Sequence, residues 1–106
     1  MNTAISASPT SLNPAPALRL DQCSKGAELR IVELQPQPLF GQQDESVTLR
    51  LKELGFLPGA HLKVIGFGLM GRDPLAIQIN GTKFALRRAE AAKVKVERLN
   101  EVESNQ

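Results

Sequence analysis

Leu49-Arg50-Leu51-Lys52-Glu53-Leu54-Gly55-Phe56-Leu57-Pro58-Gly59 and, further along, Asn80-Gly81-Thr82-Lys83-Phe84-Ala85-Leu86-Arg87-Arg88 decide how this chain folds. In the first stretch Leu51 and Leu54, with Val47 before them, fall at i, i+4 and i+7, one face of a helix of barely three turns. Asp44 or Ser46 is expected to cap its start, since either side-chain oxygen can accept an orphan backbone N–H of the first turn. Gly55 suits the left-handed residue that closes such a helix, and Phe56 can fold back onto the last turn. Pro58-Gly59 fits the centre of a type II turn, where glycine supplies the positive φ. In the second stretch Asn80-Gly81 signals a type I′ hairpin, because both residues tolerate φ > 0.

Alternating apolar positions run outward from that hairpin. Leu75, Ile77 and Ile79 lead into it, and Thr82, Phe84 and Leu86 lead out, which puts Phe84 on the core side. His61-Leu62-Lys63-Val64-Ile65 forms a strand before them. Glu28-Leu29-Arg30-Ile31-Val32-Glu33-Leu34 forms the first strand, entered at Ser24-Lys25-Gly26 and stopped by Pro36 and Pro38. Residues 35–43 read as a loop. Upstream, Leu18, Leu20 and Cys23 form a lead-in that packs under the sheet. Arg88-Ala89-Glu90-Ala91-Ala92 has room for one helical turn, after which Val94 and Val96 close the sheet. The expected fold is mainly β: a small five-stranded SH3-like barrel with one short helix after the first strand and a helical turn before the last.

The chain has 106 residues, enough for one domain. Residues 1–17 carry no charged side chain and only Ile5 and Leu12 as sizeable apolar groups, too few to offset the entropy of ordering them. They are expected to be a disordered tail, and the polar residues 98–106 a second one, around a domain at 18–97. There is no basic start with an apolar run of signal-peptide length, and no apolar stretch approaches the ~20 residues of a membrane span. A cytoplasmic chain that does not insert in a membrane is expected. A single cysteine excludes an intrachain disulfide.

The net charge of +2 hides an uneven distribution. Between Thr82 and Arg98 stand Lys83, Arg87, Arg88, Lys93, Lys95 and Arg98, against Glu90 and Glu97 alone. This strip is either a solvated face or a docking face for an acidic partner. Arg87 or Arg88 could instead pair with Glu90 and fix the helical turn.

Gly66-Phe67-Gly68-Leu69-Met70-Gly71 matches the spacing of the dinucleotide fingerprint, but no helix begins there to hold a pyrophosphate. It reads as a glycine-bearing hairpin loop. Its Phe67, Leu69 and Met70 are either buried caps over a barrel end or an exposed adhesive patch marking a partner site. His61 and Cys23 alone cannot supply the three or four ligands of a zinc site, so His61 reads as a surface residue and Cys23 as a small buried hydrophobe. Ser24 and Ser46 lack a glycine elbow, there is no P-loop, and Glu53 and Glu90 are not paired by spacing. No catalytic, metal or cofactor site is expected. The basic strip lacks interleaved Tyr or Trp, so stacking platforms for nucleic acid are missing, although backbone contacts are not excluded.

Leu51–Gly59, Asp73-Pro74, Gly81-Thr82 and Leu86-Arg87-Arg88-Ala89-Glu90-Ala91 resemble the FeoA family, the small cytosolic component of bacterial ferrous-iron uptake. Leu20-Asp21-Gln22-Cys23-Ser24-Lys25-Gly26 also looks like that family's opening turn. The resemblance implies an SH3-like barrel that assists FeoB, the membrane iron transporter with a cytoplasmic GTPase domain, without enzyme activity or iron ligands of its own. Phe67, Leu69, Met70, Arg87 and Arg88 are then the expected partner-binding residues. A small nucleic-acid-binding barrel is the alternative. The barrel that ends the iron-dependent repressors is related, but no helix-turn-helix precedes this one.

Overall fold

The computed structural model describes residues 17–99. One antiparallel sheet of six strands accounts for most of them: β1 (Leu18–Arg19), β2 (Glu28–Leu34), β3 (His61–Phe67), β4 (Leu75–Ile79), β5 (Thr82–Leu86) and β6 (Val94–Arg98), in the order β1-β6-β2-β3-β4-β5. Helix α1 (Asp44–Glu53) follows β2, and a single turn, α2 (Arg88–Ala91), precedes β6. The five expected strands are present, and the lead-in adds a sixth of two residues, with Leu18 opposite Val96.

The sheet bends at two bulges, at Val32 in β2 and at Ile65 in β3, where one extra residue raises the local twist. It wraps a core in which Leu29 and Ile31 from β2, Val64 from β3, Ile77 from β4 and Val96 from β6 are buried. Helix α1 closes this core with Leu51, fully buried, flanked by the partly buried Val47 and Leu54. The expected helix face is therefore the packed one.

The helix ends as its sequence implies. Gly55 takes φ +107°, its N–H donates to the Lys52 carbonyl at 3.0 Å, and the Phe56 N–H donates to the Leu51 carbonyl at 3.0 Å. This double bond pattern satisfies the last carbonyls and aims Phe56 into the core, where its ring centroid lies 6.1 Å from that of Phe84. The turn at Pro58-Gly59 follows, with the Ala60 N–H donating to the Leu57 carbonyl at 3.0 Å. Asn80 and Gly81 both have positive φ, 52° and 79°, as the tight hairpin requires.

Three local expectations are corrected. Residues Pro38–Gln43 form 3-10 turns rather than plain loop. Gln43 occupies the position before α1, and neither Asp44 nor Ser46 caps the helix through its side chain. The Asp44 carboxylate is taken elsewhere: it accepts from the Gln37 backbone N–H at 3.0 Å and from the Lys93 Nζ at 2.6 Å. Lys93, expected on the charged strip, is wholly buried beneath α1. Residues 1–16 and 100–106, where most of both expected tails fall, lie outside the described residues; Arg98 ends β6, and the Leu99 N–H donates to the Glu28 carbonyl at 2.8 Å.

Candidate functional site

The loop between β3 and β4 divides its three apolar residues. Phe67, last in β3, is partly buried against the core, and the Arg72 guanidinium sits 4.3 Å from its ring centroid. Leu69 is 99% exposed and Met70 79% exposed. So Phe67 packs inward as a cap while Leu69 and Met70 stand in solvent, which separates residues that the sequence places together.

The base of the loop is held from several directions. The Gly68 N–H donates to the Pro74 carbonyl at 2.7 Å, and Arg72 Nη2 donates to the Cys23 carbonyl at 2.7 Å. A Cβ at Gly68 would lie 2.6 Å from the Asp73 carbonyl oxygen and 2.6 Å from Pro74 Cδ, so only glycine lets the two arms approach this closely. No helix begins at the glycines; the fingerprint spacing serves a crossing of backbones.

Beside the exposed tip, Met70, Asp73, Pro74, Ala85 and Arg87 line a groove of about 420 Å³. Thus Met70 and Arg87, distant in sequence, meet on one surface. The Arg88 backbone N–H donates to Asp73 Oδ1 at 3.0 Å, which fixes the start of α2 to the foot of the loop. Sequence reasoning missed Asp73, Pro74 and Ala85 as groove walls. The signal was the alternation of β5, where Phe84 and Leu86 face in and Lys83 and Ala85 therefore face out.

Pairing sorts the cations of the strip. Lys93 binds Asp44, and Lys95 Nζ lies 3.5 Å from Glu33. Glu90 does fix α2, but its partners are the Arg87 backbone N–H at 2.9 Å and the Arg50 guanidinium at 2.6 Å. Neither the Arg87 nor the Arg88 side chain pairs with it. Among the described residues, no ion pair takes up Lys83, Arg87 or Arg88, and all three are exposed. The strip therefore narrows to three cations beside β5 and the groove.

His61 is exposed at the start of β3, in a shallow polar recess with Glu28 and Gln78. Cys23 is buried, and burial, more than any neighbouring charge, pushes its thiol above the ordinary cysteine value. Its Sγ lies 3.6 Å from the Arg19 carbonyl. Among the described residues, no three His, Cys, Asp or Glu side chains gather into a metal-holding group. No helix among them is long and apolar enough to cross a membrane.

A small antiparallel barrel closed by one helix, with an exposed apolar loop tip beside cations that form no ion pair among the described residues, has the architecture of an SH3-like domain. The FeoA domain model matches residues 18–98, nearly all of the described fold, and the chain belongs to the FeoA family, a family related to iron transport. Solved structures agree. Stenotrophomonas maltophilia FeoA complexed with zinc, a prokaryotic SH3 domain protein, is 30% identical; the match covers 78% of this chain and 91% of that one, with a TM-score of 0.63. Chlorobium tepidum FeoA is also 30% identical, over 77% of this chain and 70% of that one, with a TM-score of 0.65. A T. acidophilum IdeR structure shares the fold at 16% identity and a TM-score of 0.62, over 83% of this chain and 37% of that one. A search of curated proteins found no match.

Proposed function

We propose that this protein is a non-enzymatic cytoplasmic accessory of bacterial ferrous-iron uptake that acts by docking onto the cytoplasmic side of a FeoB-type membrane GTPase-permease. The observation that carries this reading is the exposed pair Leu69 and Met70, presented at a loop tip whose groove is shared with Arg87. Two large apolar side chains left in water at a firmly held tip gain free energy only when a partner covers them. Arg87 and Arg88, unneutralised within the described residues, add a long-range attraction for an acidic partner surface. Membership of the FeoA family supplies the kind of partner, and the crystallised S. maltophilia relative is connected with ferrous iron transport.

The test is direct binding of the full chain to the separately purified cytoplasmic GTPase domain of the cognate transporter, and to the whole transporter in detergent. Saturable binding that Leu69→Asp weakens at least tenfold, with the fold intact, is the expected result. Absence of binding to both forms would remove the reading. GTP turnover by this chain alone, or one tightly held iron per chain after a chelator wash, would remove its non-enzymatic, ligand-free part.

A further inference from the structure

Strand β5 lies at one end of the sheet order, and among the described residues only β4 pairs with it. The tight hairpin fixes which of its backbone groups are used. Ile79 and Thr82 flank a two-residue turn and so exchange hydrogen bonds; bonded pairs then recur at Ile77 with Phe84 and Leu75 with Leu86. The N–H and C=O groups of Lys83 and Ala85 consequently point away from β4, along an open edge. Their side chains lie on the solvent face, and Ala85 is also a wall of the groove with Met70 and Arg87. Open edge and groove thus meet at one place, with Lys83 on the edge strand, Arg87 in the groove wall and Arg88 next to it, none of them in an ion pair among the described residues.

We infer that the β5 edge is a docking track for an extended acidic segment of another protein, which adds to the sheet as a further strand. This rests on the docking reading above and specifies how that face is used. A strand laid along β5 takes the outward N–H and C=O groups of Lys83 and Ala85, while its alternate side chains emerge on the solvent face beside Lys83. Carboxylates there meet Lys83, Arg87 and Arg88, and one further side chain enters the groove next to Met70. Charge selects against a second copy of this chain, because pairing two β5 edges brings two sets of these cations together. Both acids beside these cations are already engaged: Asp73 Oδ1 in the groove wall accepts from the Arg88 backbone, and Glu90 accepts from the Arg87 backbone and pairs with Arg50. The competing account of Lys83 is purely protective, since an edge lysine discourages strand addition.

The probe is a capped heptapeptide of alternating glutamate and valine, titrated into the ¹⁵N-labelled full chain. The expected result is that the Lys83 and Ala85 amide signals move and their hydrogen exchange slows at least tenfold at saturation. The same peptide with lysine for glutamate is expected to bind at least tenfold more weakly. N-methylation of the peptide amides on alternate residues, tried in both registers, is expected to abolish binding in one register only. Ala85→Pro removes an outward N–H while leaving the β4 ladder intact, and is expected to weaken binding at least tenfold; if that variant does not fold, the methylated peptides decide the question on the wild-type chain. No binding, equal binding by the lysine peptide, indifference to methylation in both registers, or dimerisation in place of peptide binding would each overturn the inference. Tighter binding of a ten-nucleotide oligothymidylate at this edge would overturn it in favour of nucleic acid. The peptide experiment does not involve the transporter, so failure here and failure of the transporter reading are separate results.

Discussion

Lys93 Nζ lies 2.6 Å from Asp44 Oδ1, and no part of the Lys93 side chain is open to solvent. The pair joins the residue that leads into β6 to the first residue of α1, 49 positions away in sequence. Asp44 also accepts the Gln37 backbone N–H, so one carboxylate gathers the turn before the helix, the helix start and the last strand. The Lys93 hydrogen bond, ahead of the Gln37 one, holds this carboxyl below the ordinary aspartate range.

Asp44→Asn should therefore lower the melting temperature by several degrees at pH 7, because it leaves a buried ammonium without its counter-charge. The pH dependence has a definite sign. A depressed folded-state value means the unfolded chain binds the proton more readily, so the stabilisation is complete above the ordinary value of about 4 and fades as pH falls through the lower folded value. Melting curves of both proteins between pH 3 and pH 7 check this. The gap between them should shrink at the acid end; a gap that is constant or widens there would count against the pairing.

Leu51 is fully buried beneath the sheet, whereas Leu49, on the same helix, is mostly exposed. Leu51→Ala should cost ~2–5 kcal/mol and Leu49→Ala about 0.5 kcal/mol or less. Urea titration with both variants measures the two costs. Similar midpoints would mean that α1 packs through a different face.

Gly68→Ala places a methyl group against backbone atoms of Asp73 and Pro74, neither of which is the flexible end of a side chain. The loop base must open, at a cost of about 1–3 kcal/mol. Backbone NMR of the variant should show shifts concentrated at residues 66–76. Unchanged spectra and stability would show that the two arms are not held this close.

Leu69 and Arg87 should control different parts of one binding reaction. An apolar tip contributes once water has been expelled, so Leu69→Asp should mainly speed dissociation from the proposed transporter partner. Exposed cations act at a distance and are screened by salt, so Arg87→Glu with Arg88→Glu should mainly slow association, more at low salt than at high. Surface-immobilised kinetics at two ionic strengths distinguish these effects. Unchanged dissociation of a folded Leu69→Asp variant would exclude the tip from the interface.

Elements closed by neighbouring residues were legible in the sequence. Gly55 and Phe56 end α1 through bonds to Lys52 and Leu51, and Asn80-Gly81 turns the β4–β5 hairpin by its own backbone preference. What depended on distant partners was not. Lys93 looks like one more surface base until Asp44, 49 positions away, is seen beside it. For the same reason Asp44 read as a helix cap, and Glu90 as a partner for the arginines next to it rather than for Arg50. At the candidate site, the apolar tip could be found by composition but its split could not. Phe67 turns inward under Arg72, whereas Leu69 and Met70, only a few residues on, do not.

Arg72, spanning from the Phe67 ring to the Cys23 carbonyl, has a further consequence for the thermodynamics of recognition. With the Gly68 N–H donating to the Pro74 carbonyl at the same point, the arms of the loop are already tied together in the free protein. A partner that covers Leu69 then has little backbone freedom left to remove, and the entropic penalty of capture falls mainly on two side chains. Loosening that brace through Arg72→Ala, which keeps Leu69 and Met70 in place, should make the entropy of association less favourable, a change that calorimetry reads directly.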